Sequence, residues 1–308
     1  MITTITLAPA FDRTYYVDNF TPDALNRAWQ VKVNMGGKGI NFSSIVAQCG
    51  MQCTATGFMG EGSIKFQKFL EEKGAVSDFV ELDGEIRTNI KICDISKGTY
   101  TDLNQCCDTV SEKDMAKLYK KVDALCKKSR FLYMGGTLPP GAEPETYKEF
   151  TKIGKKHGAY TIVDASGKAL REAIEVGADL IKPNKSEAEE ILEREIKTIN
   201  DAADGAKELI KAGAGTVLLS LGGDGAVLAD KNGVVYAKPL LVPVKSTTGA
   251  GDSFLAGFVY GKFKNFGNEA ALKYAASFSA AKIQTEGVDI PSSKELCAYT
   301  EKIICEKI

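Results

Sequence analysis

The chain has almost no surplus charge: 39 Lys and Arg stand against 40 Asp and Glu, for a formal net charge of −1. General binders of nucleic acid or anionic membranes carry a basic excess, so the balance argues against both classes and leaves open only a local cationic site for a small anion. Long apolar runs are missing too. No stretch approaches the ~18 uninterrupted apolar residues of a membrane helix. The opening Met1-Ile2-Thr3-Thr4-Ile5-Thr6-Leu7 lacks a basic segment and a long apolar one, and it reads as a buried strand rather than a secretion signal. The expected location is the cytoplasm. Histidine is reduced to one residue, His157, and none of the eight cysteines forms a CxxC pair, so no zinc spacing exists. In a cytoplasmic chain those cysteines read as reduced thiols, many of them small core hydrophobes. The adjacent pair Cys106-Cys107 has no physical account.

What is present is the composition of a folded protein. A chain of 308 residues, 44% hydrophobic and 26% charged, is too apolar for disorder and long enough for two ordinary domains or one large one. Strand-like and helix-like segments alternate. A helix is expected over 40–48, closed by Gly50, then a strand over 52–58, a helix over 63–73 and a strand over 79–82. In the later half, strands 131–135 and 160–164 flank a helix at 143–156. A short strand at 180–182 precedes helices at 186–194 and 201–212, and 216–221 is a near-continuous apolar strand. The Lys-rich segment 113–130 is an amphipathic helix whose charges form a solvated face. This order predicts a three-layer α/β fold with right-handed crossovers and a mostly parallel central sheet.

Segments 13–33 and 87–104 lack helical periodicity and carry β-rich patches such as Thr14-Tyr15-Tyr16-Val17 and Asn89-Ile90-Lys91-Ile92-Cys93. They are expected to form one small sheet, a lid, standing off a core made of 1–12, 34–86 and 105–308. An exposed lid face bearing Tyr15, Tyr16 and Trp29 points to pairing with a second copy, a homodimer.

Four turns have the makings of a site. Gly36-Gly37-Lys38-Gly39-Ile40-Asn41 combines a close-approach backbone, a cation and the start of a helix. It is not a Walker loop, because Gly39 stands where Ser or Thr would bind magnesium; a plain strand–turn–helix corner reads equally well. In Thr248-Gly249-Ala250-Gly251-Asp252-Ser253 small residues leave helix N-terminal amides free for an anion. Asp252 then reads as a simple first-turn carboxylate or as a base beside that anion site. Ser220-Leu221-Gly222-Gly223-Asp224-Gly225 ends a buried strand, where ligands of open α/β sheets lie, and is equally a tight turn. In Lys182-Pro183-Asn184-Lys185-Ser186-Glu187, Asn184 and Glu187 fit a helix cap better than a hydrated magnesium site on spacing alone.

Taken in this order, the motifs resemble those of the PfkB (ribokinase-like) carbohydrate kinases over essentially the whole chain. The resemblance implies an ATP- and Mg2+-dependent sugar kinase with an α/β core and a β-sheet lid. By that resemblance Asp252 is the general base and Gly249, Ala250 and Gly251 form the anion hole. Lys182, Asn184 and Ser220 to Gly225 take the nucleotide, and Glu187 meets magnesium through water. Asp12, placed at the end of the first strand, accepts a sugar hydroxyl, and Gly36, Gly37, Lys38, Asn41 and Thr137 complete the sugar side. The pieces Ile5-Thr6-Leu7-Ala8-Pro9-Ala10-Phe11-Asp12, Arg87-Thr88-Asn89-Ile90-Lys91 and Gly136-Thr137-Leu138-Pro139-Pro140-Gly141 are similar to the hexose-phosphate branch. That branch implies a ketohexose phosphate as acceptor, fructose 1-phosphate ahead of tagatose 6-phosphate. A substrate that already carries phosphate needs fixed cations, for which Arg87 and Lys38 are the first candidates and Arg27 and Lys32 the weaker ones. A Rossmann oxidoreductase is disfavoured, because no GxGxxG follows the first strand with an acidic residue about 20 positions on. A non-catalytic sugar-phosphate sensor is the third class, and the retained Asp252 argues against it.

Overall fold

The computed structural model describes residues 1–285 and 290–308. The alternation closes into one eleven-stranded sheet. From one edge its order is Cys305–Lys307, Gly233–Ala237, Ala226–Asp230, Thr216–Ser220, Leu180–Ile181, Tyr160–Asp164, Phe131–Gly135, Ile2–Thr6, Cys53–Glu61 and Val76–Ser77, with Val80–Glu85 also pairing on Cys53–Glu61. From Thr216–Ser220 onward every pairing is parallel; the three strands before it are antiparallel. The central strands Ile2–Thr6 and Phe131–Gly135 are buried at every residue, as strands covered on both faces must be.

Alternate side chains of these strands feed two cores. One lies under the helices Glu112–Cys126, Thr146–Lys156, Gly167–Glu175 and Ile199–Lys211. The other lies under Lys38–Gln48, Ser63–Glu72, Ala250–Phe263 and Asn268–Lys282. Helix Ala250–Phe263 is apolar nearly all round and correspondingly buried. Its Gly257 and Gly261 let helix Asn268–Lys282 approach so closely that a Cβ at Gly257 would stand 2.7 Å from the Tyr274 carbonyl oxygen. That packing fixes the start of the helix, where Asp252 stands.

A separate four-stranded sheet runs in the order Gln30–Gly36, Ala10–Val17, Thr88–Asp94, Thr99–Asn104. Its first strand begins at Ala10 and its second reaches Gly36, so the borders expected at 12/13 and 33/34 fall inside strands. Asp12 therefore does not end the first core strand. It is the third residue of a lid strand, because the core strand stops at Thr6 and Pro9 separates the two.

Candidate active site

Three neighbouring parallel strands deliver polar groups to one edge of the large sheet. Asp164 ends Tyr160–Asp164, Lys182 follows Leu180–Ile181, and Ser220 ends Thr216–Ser220. Helix N-termini complete the wall. They bound a cavity of about 580 Å³ lined by Lys38, Asp164, Lys182, Asn184, Lys185, Ser186, Ser220, Leu221, Gly222, Gly249, Gly251 and Asp252. Carboxyl ends of parallel strands are where open α/β sheets bind ligands.

Asp252 stands in the first turn of Ala250–Phe263, only 8% exposed. Its Oδ2 accepts a hydrogen bond from Asn41 Nδ2 at 2.8 Å. Burial, reinforced by the negative Asp164, pushes its carboxyl up to about 6, against the opposing pull of Asn41, Lys38 and Lys182. A carboxylate poised there can take a proton near neutral pH. No side chain caps this helix, and Gly249 enters it at φ +77°, a conformation that favours glycine. Gly249 and Gly251 line the cavity, whereas the Ala250 amide donates to the Thr247 carbonyl.

Asp164 organises the cations. Its Oδ1 lies 2.8 Å from Lys38 Nζ and 3.3 Å from Lys182 Nζ. It is 1% exposed, and burial alone would raise its pKa; the two ammonium groups outweigh that and hold it below the usual carboxylate value. Its Oδ2 is buried without a hydrogen-bond partner among the described residues. Asp164 was not singled out from the sequence. A polar residue at the carboxyl end of an apolar strand was the available signal.

Asn184 and Glu187 form the cap that their spacing favoured. Asn184 Oδ1 accepts from the Glu187 amide at 2.9 Å, and Glu187 Oε2 accepts from the Asn184 amide at 2.8 Å. Glu187 Oε1 remains 3.8 Å from Lys38 Nζ. Among the described residues no group of three or more His, Cys, Asp or Glu is arranged to hold a metal ion. The orphaned Asp164 Oδ2 and Glu187 Oε1 are hard oxygen donors that fit a magnesium ion arriving on phosphate and keeping several waters. Of the Ser220–Gly225 turn, Ser220, Leu221 and Gly222 line the cavity and Gly223, Asp224 and Gly225 do not. Gly225 is needed for the turn itself: it stands at φ +89°, and a Cβ there would collide with the Ala237 carbonyl.

On the lid, Asp12 Oδ1 accepts from Asn89 Nδ2 at 2.9 Å, and burial raises its pKa against the pull of Asn89, Arg87 and Lys91. Its carboxylate lies against Gly36, where any Cβ would strike it. Gly36 leads through Gly37, at φ +124°, into the helix carrying Lys38 and Asn41, so this turn physically joins the small sheet to the large body. Arg87 does not reach the large cavity. Its Nη2 donates to Ala8 O at 3.1 Å and its Nη1 to Gln105 O at 3.3 Å, beside a small cavity of about 40 Å³. Thr137 is exposed and lines neither cavity, and Arg27 lies on the exposed stretch between lid strands.

A buried carboxylate, an uncapped helix start and clustered lysines at one sheet edge are the groups that phosphoryl transfer, the chemistry of a sugar kinase, calls for. The chain belongs to the pfkB family of carbohydrate kinases, whose family model matches residues 4–295. It is 32% identical to the 1-phosphofructokinase of Rhodobacter capsulatus over 98% of this chain and 96% of that one. Phosphofructokinase-2 of Escherichia coli in complex with potassium superposes with a TM-score of 0.90 at 26% identity, covering 98% of both chains. A tetrameric inhibited form of the same Escherichia coli protein gives 0.88 at 26% identity, again over 98% of both chains.

Proposed function

We propose that the protein transfers the γ-phosphate of ATP to fructose 1-phosphate, giving fructose 1,6-bisphosphate and ADP. The observation that carries this is the buried Asp252 carboxylate, held by Asn41 at an uncapped helix start and facing the cavity that Lys38 and Lys182 share. In this reading Asp252 takes the proton from the C6 hydroxyl as that oxygen attacks the γ-phosphorus. The amides at Gly249 and Gly251, with the Lys38 and Lys182 ammonium groups, stabilise the charge on the transferred phosphoryl group. Ser220, Leu221, Gly222 and Asn184 border the nucleotide. Asp12 and Asn89 hold sugar hydroxyls. When bound with the nucleotide, magnesium supplies charge neutralisation between the phosphates, and Glu187 and Asp164 are the carboxylates placed to hold it through water.

The small sheet serves as the lid over the sugar, and its outer face supports self-association. Tyr15 and Tyr16 cannot share that face, since neighbours on a strand point oppositely. The apolar side is instead Tyr15, Val31, Val33, Ile90, Ile92 and Leu103, by strand register. A cytoplasmic setting agrees with eight cysteines that form no disulfide.

The test is ADP release with ATP and magnesium over fructose 1-phosphate, tagatose 6-phosphate, fructose 6-phosphate and free fructose. A preference for fructose 1-phosphate of about two orders of magnitude in kcat/KM, roughly 2.7 kcal/mol, is expected. A preference for tagatose 6-phosphate or fructose 6-phosphate would keep the transfer chemistry and overturn the sugar.

A further inference from the structure

The register of the lid sorts its side chains into rows. Asp12 stands opposite Asn34 on one side and Asn89 on the other, and Asn89 stands opposite Asn104. Side chains in register across a sheet share a face, so these three amides and one carboxylate form one polar row. Two residues further along the strands, on the same face, Thr14 stands opposite Lys32 and Lys91, and Lys91 stands opposite Asp102. The second row therefore places two lysines on either side of a threonine hydroxyl, about 6.8 Å along the strands from the row that holds Asp12.

Other candidate cations are already engaged. Lys38 and Lys182 are bound to Asp164, and both Nη groups of Arg87 donate to backbone carbonyls. Lys32 Nζ stands over the Tyr16 ring, 5.2 Å from its centroid. Lys91 is different: its side chain is 36% exposed, and its acidic neighbour Asp102 is 3.7 Å away and itself 55% exposed. So long and wet a pair contributes little and is readily exchanged for a better anion. The charge of Lys91 also reaches Asp12, whose ionised form it favours.

We propose that Lys91 is the specificity-determining cation that binds the phosphate the sugar brings, while Asp12 and its row hold the hydroxyls between. This rests on the sugar-phosphate reading above. The separation of the two rows matches the span from the middle of a six-carbon chain to a phosphate on its far end, and a lysine meets a phosphomonoester as a mobile point charge.

Steady-state kinetics on Lys91→Gln and Lys91→Arg test it, with fructose 1-phosphate and ATP varied separately. Lys91→Gln should raise KM for fructose 1-phosphate about ten- to a hundredfold, the loss of a charge-assisted contact, with kcat and the KM for ATP within about twofold of wild type. Lys91→Arg should restore most of the loss. An unchanged KM for fructose 1-phosphate in Lys91→Gln, or an equal rise for ATP, overturns the assignment while the sugar-phosphate reading stands. A wild-type enzyme inactive on every ketohexose phosphate overturns both.

Discussion

Asp252 is costly to keep in its ionised form, and that cost is the source of its basicity. The folded chain binds its proton more tightly than the unfolded chain, whose carboxyl titrates near 3.8, because burial raises the native value to about 6. Its contribution to stability is therefore full below about pH 4 and is lost as pH rises through about 6. Above that, a shift of some two units amounts to roughly 3 kcal/mol against the fold. We expect Asp252→Asn to raise the thermal midpoint at pH 8 while lowering kcat by about 10²–10⁴. The wild-type kcat profile should show an acid limb near pH 6 that the variant lacks. Calorimetry with a pH–rate series checks both, and a lower midpoint together with an intact limb would contradict the role. Asp252, Lys38, Asn41 and Lys182 could be found in the sequence because each stands beside a glycine turn or a strand-end Pro. Asp164 offered only its place at the carboxyl end of an apolar strand, since its importance arises from two lysines, one of them 126 residues away, that the folded sheet brings to its Oδ1.

The elements carry their roles in their ends. The strand Gln30–Gly36 passes into the helix Lys38–Gln48 with one residue between them, so a change at the joint is felt on both sides. A methyl group at Gly36 would strike the Asp12 carboxylate and displace it from Asn89. Gly36→Ala should accordingly raise KM for the sugar phosphate by about tenfold or more and leave KM for ATP near wild type. Equal changes in both constants would remove Asp12 from the sugar side. The parallel strands and their helices were legible from apolar runs and periodicity, often to the residue, as at Phe131–Gly135 and Tyr160–Asp164. The start of helix Ala250–Phe263 was legible too, from the run of small residues before Asp252. What the sequence does not give is the partner: Gly257 and Gly261 face helix Asn268–Lys282, an approach that only the folded chain shows. In the small sheet one strand begins earlier than expected, at Ala10, and its neighbour ends later, at Gly36: the polar Asp12 sits in a row with Asn34 and Asn89, and alternation of that kind shows only once the partners are known.

At the scale of the whole molecule, the lid exposes an apolar face. Val33 is 46% exposed and Leu103 is 65% exposed, and both lie in one row with Arg13 and Ile90 between them. Exposed apolar sheet faces mark association surfaces. On the proposed self-association, Val33→Lys combined with Leu103→Lys should yield a monomer in light scattering while lowering the unfolding free energy by no more than about 1 kcal/mol. A wild-type monomer would reject the surface. The proposed chemistry, by contrast, is concentrated on the carboxyl edge of the other sheet, in residues 164–252 together with Lys38 and Asn41.

That division has a hereditary consequence. The small sheet is drawn from two short stretches, 10–36 and 88–104, and its chain passes through the Gly36-Gly37 joint into the helix that carries Lys38 and Asn41. A lineage that changes its diet need rewrite only those stretches, row by row, while the catalytic edge is passed on unaltered. Grafting the two segments between relatives should carry the choice of sugar with them.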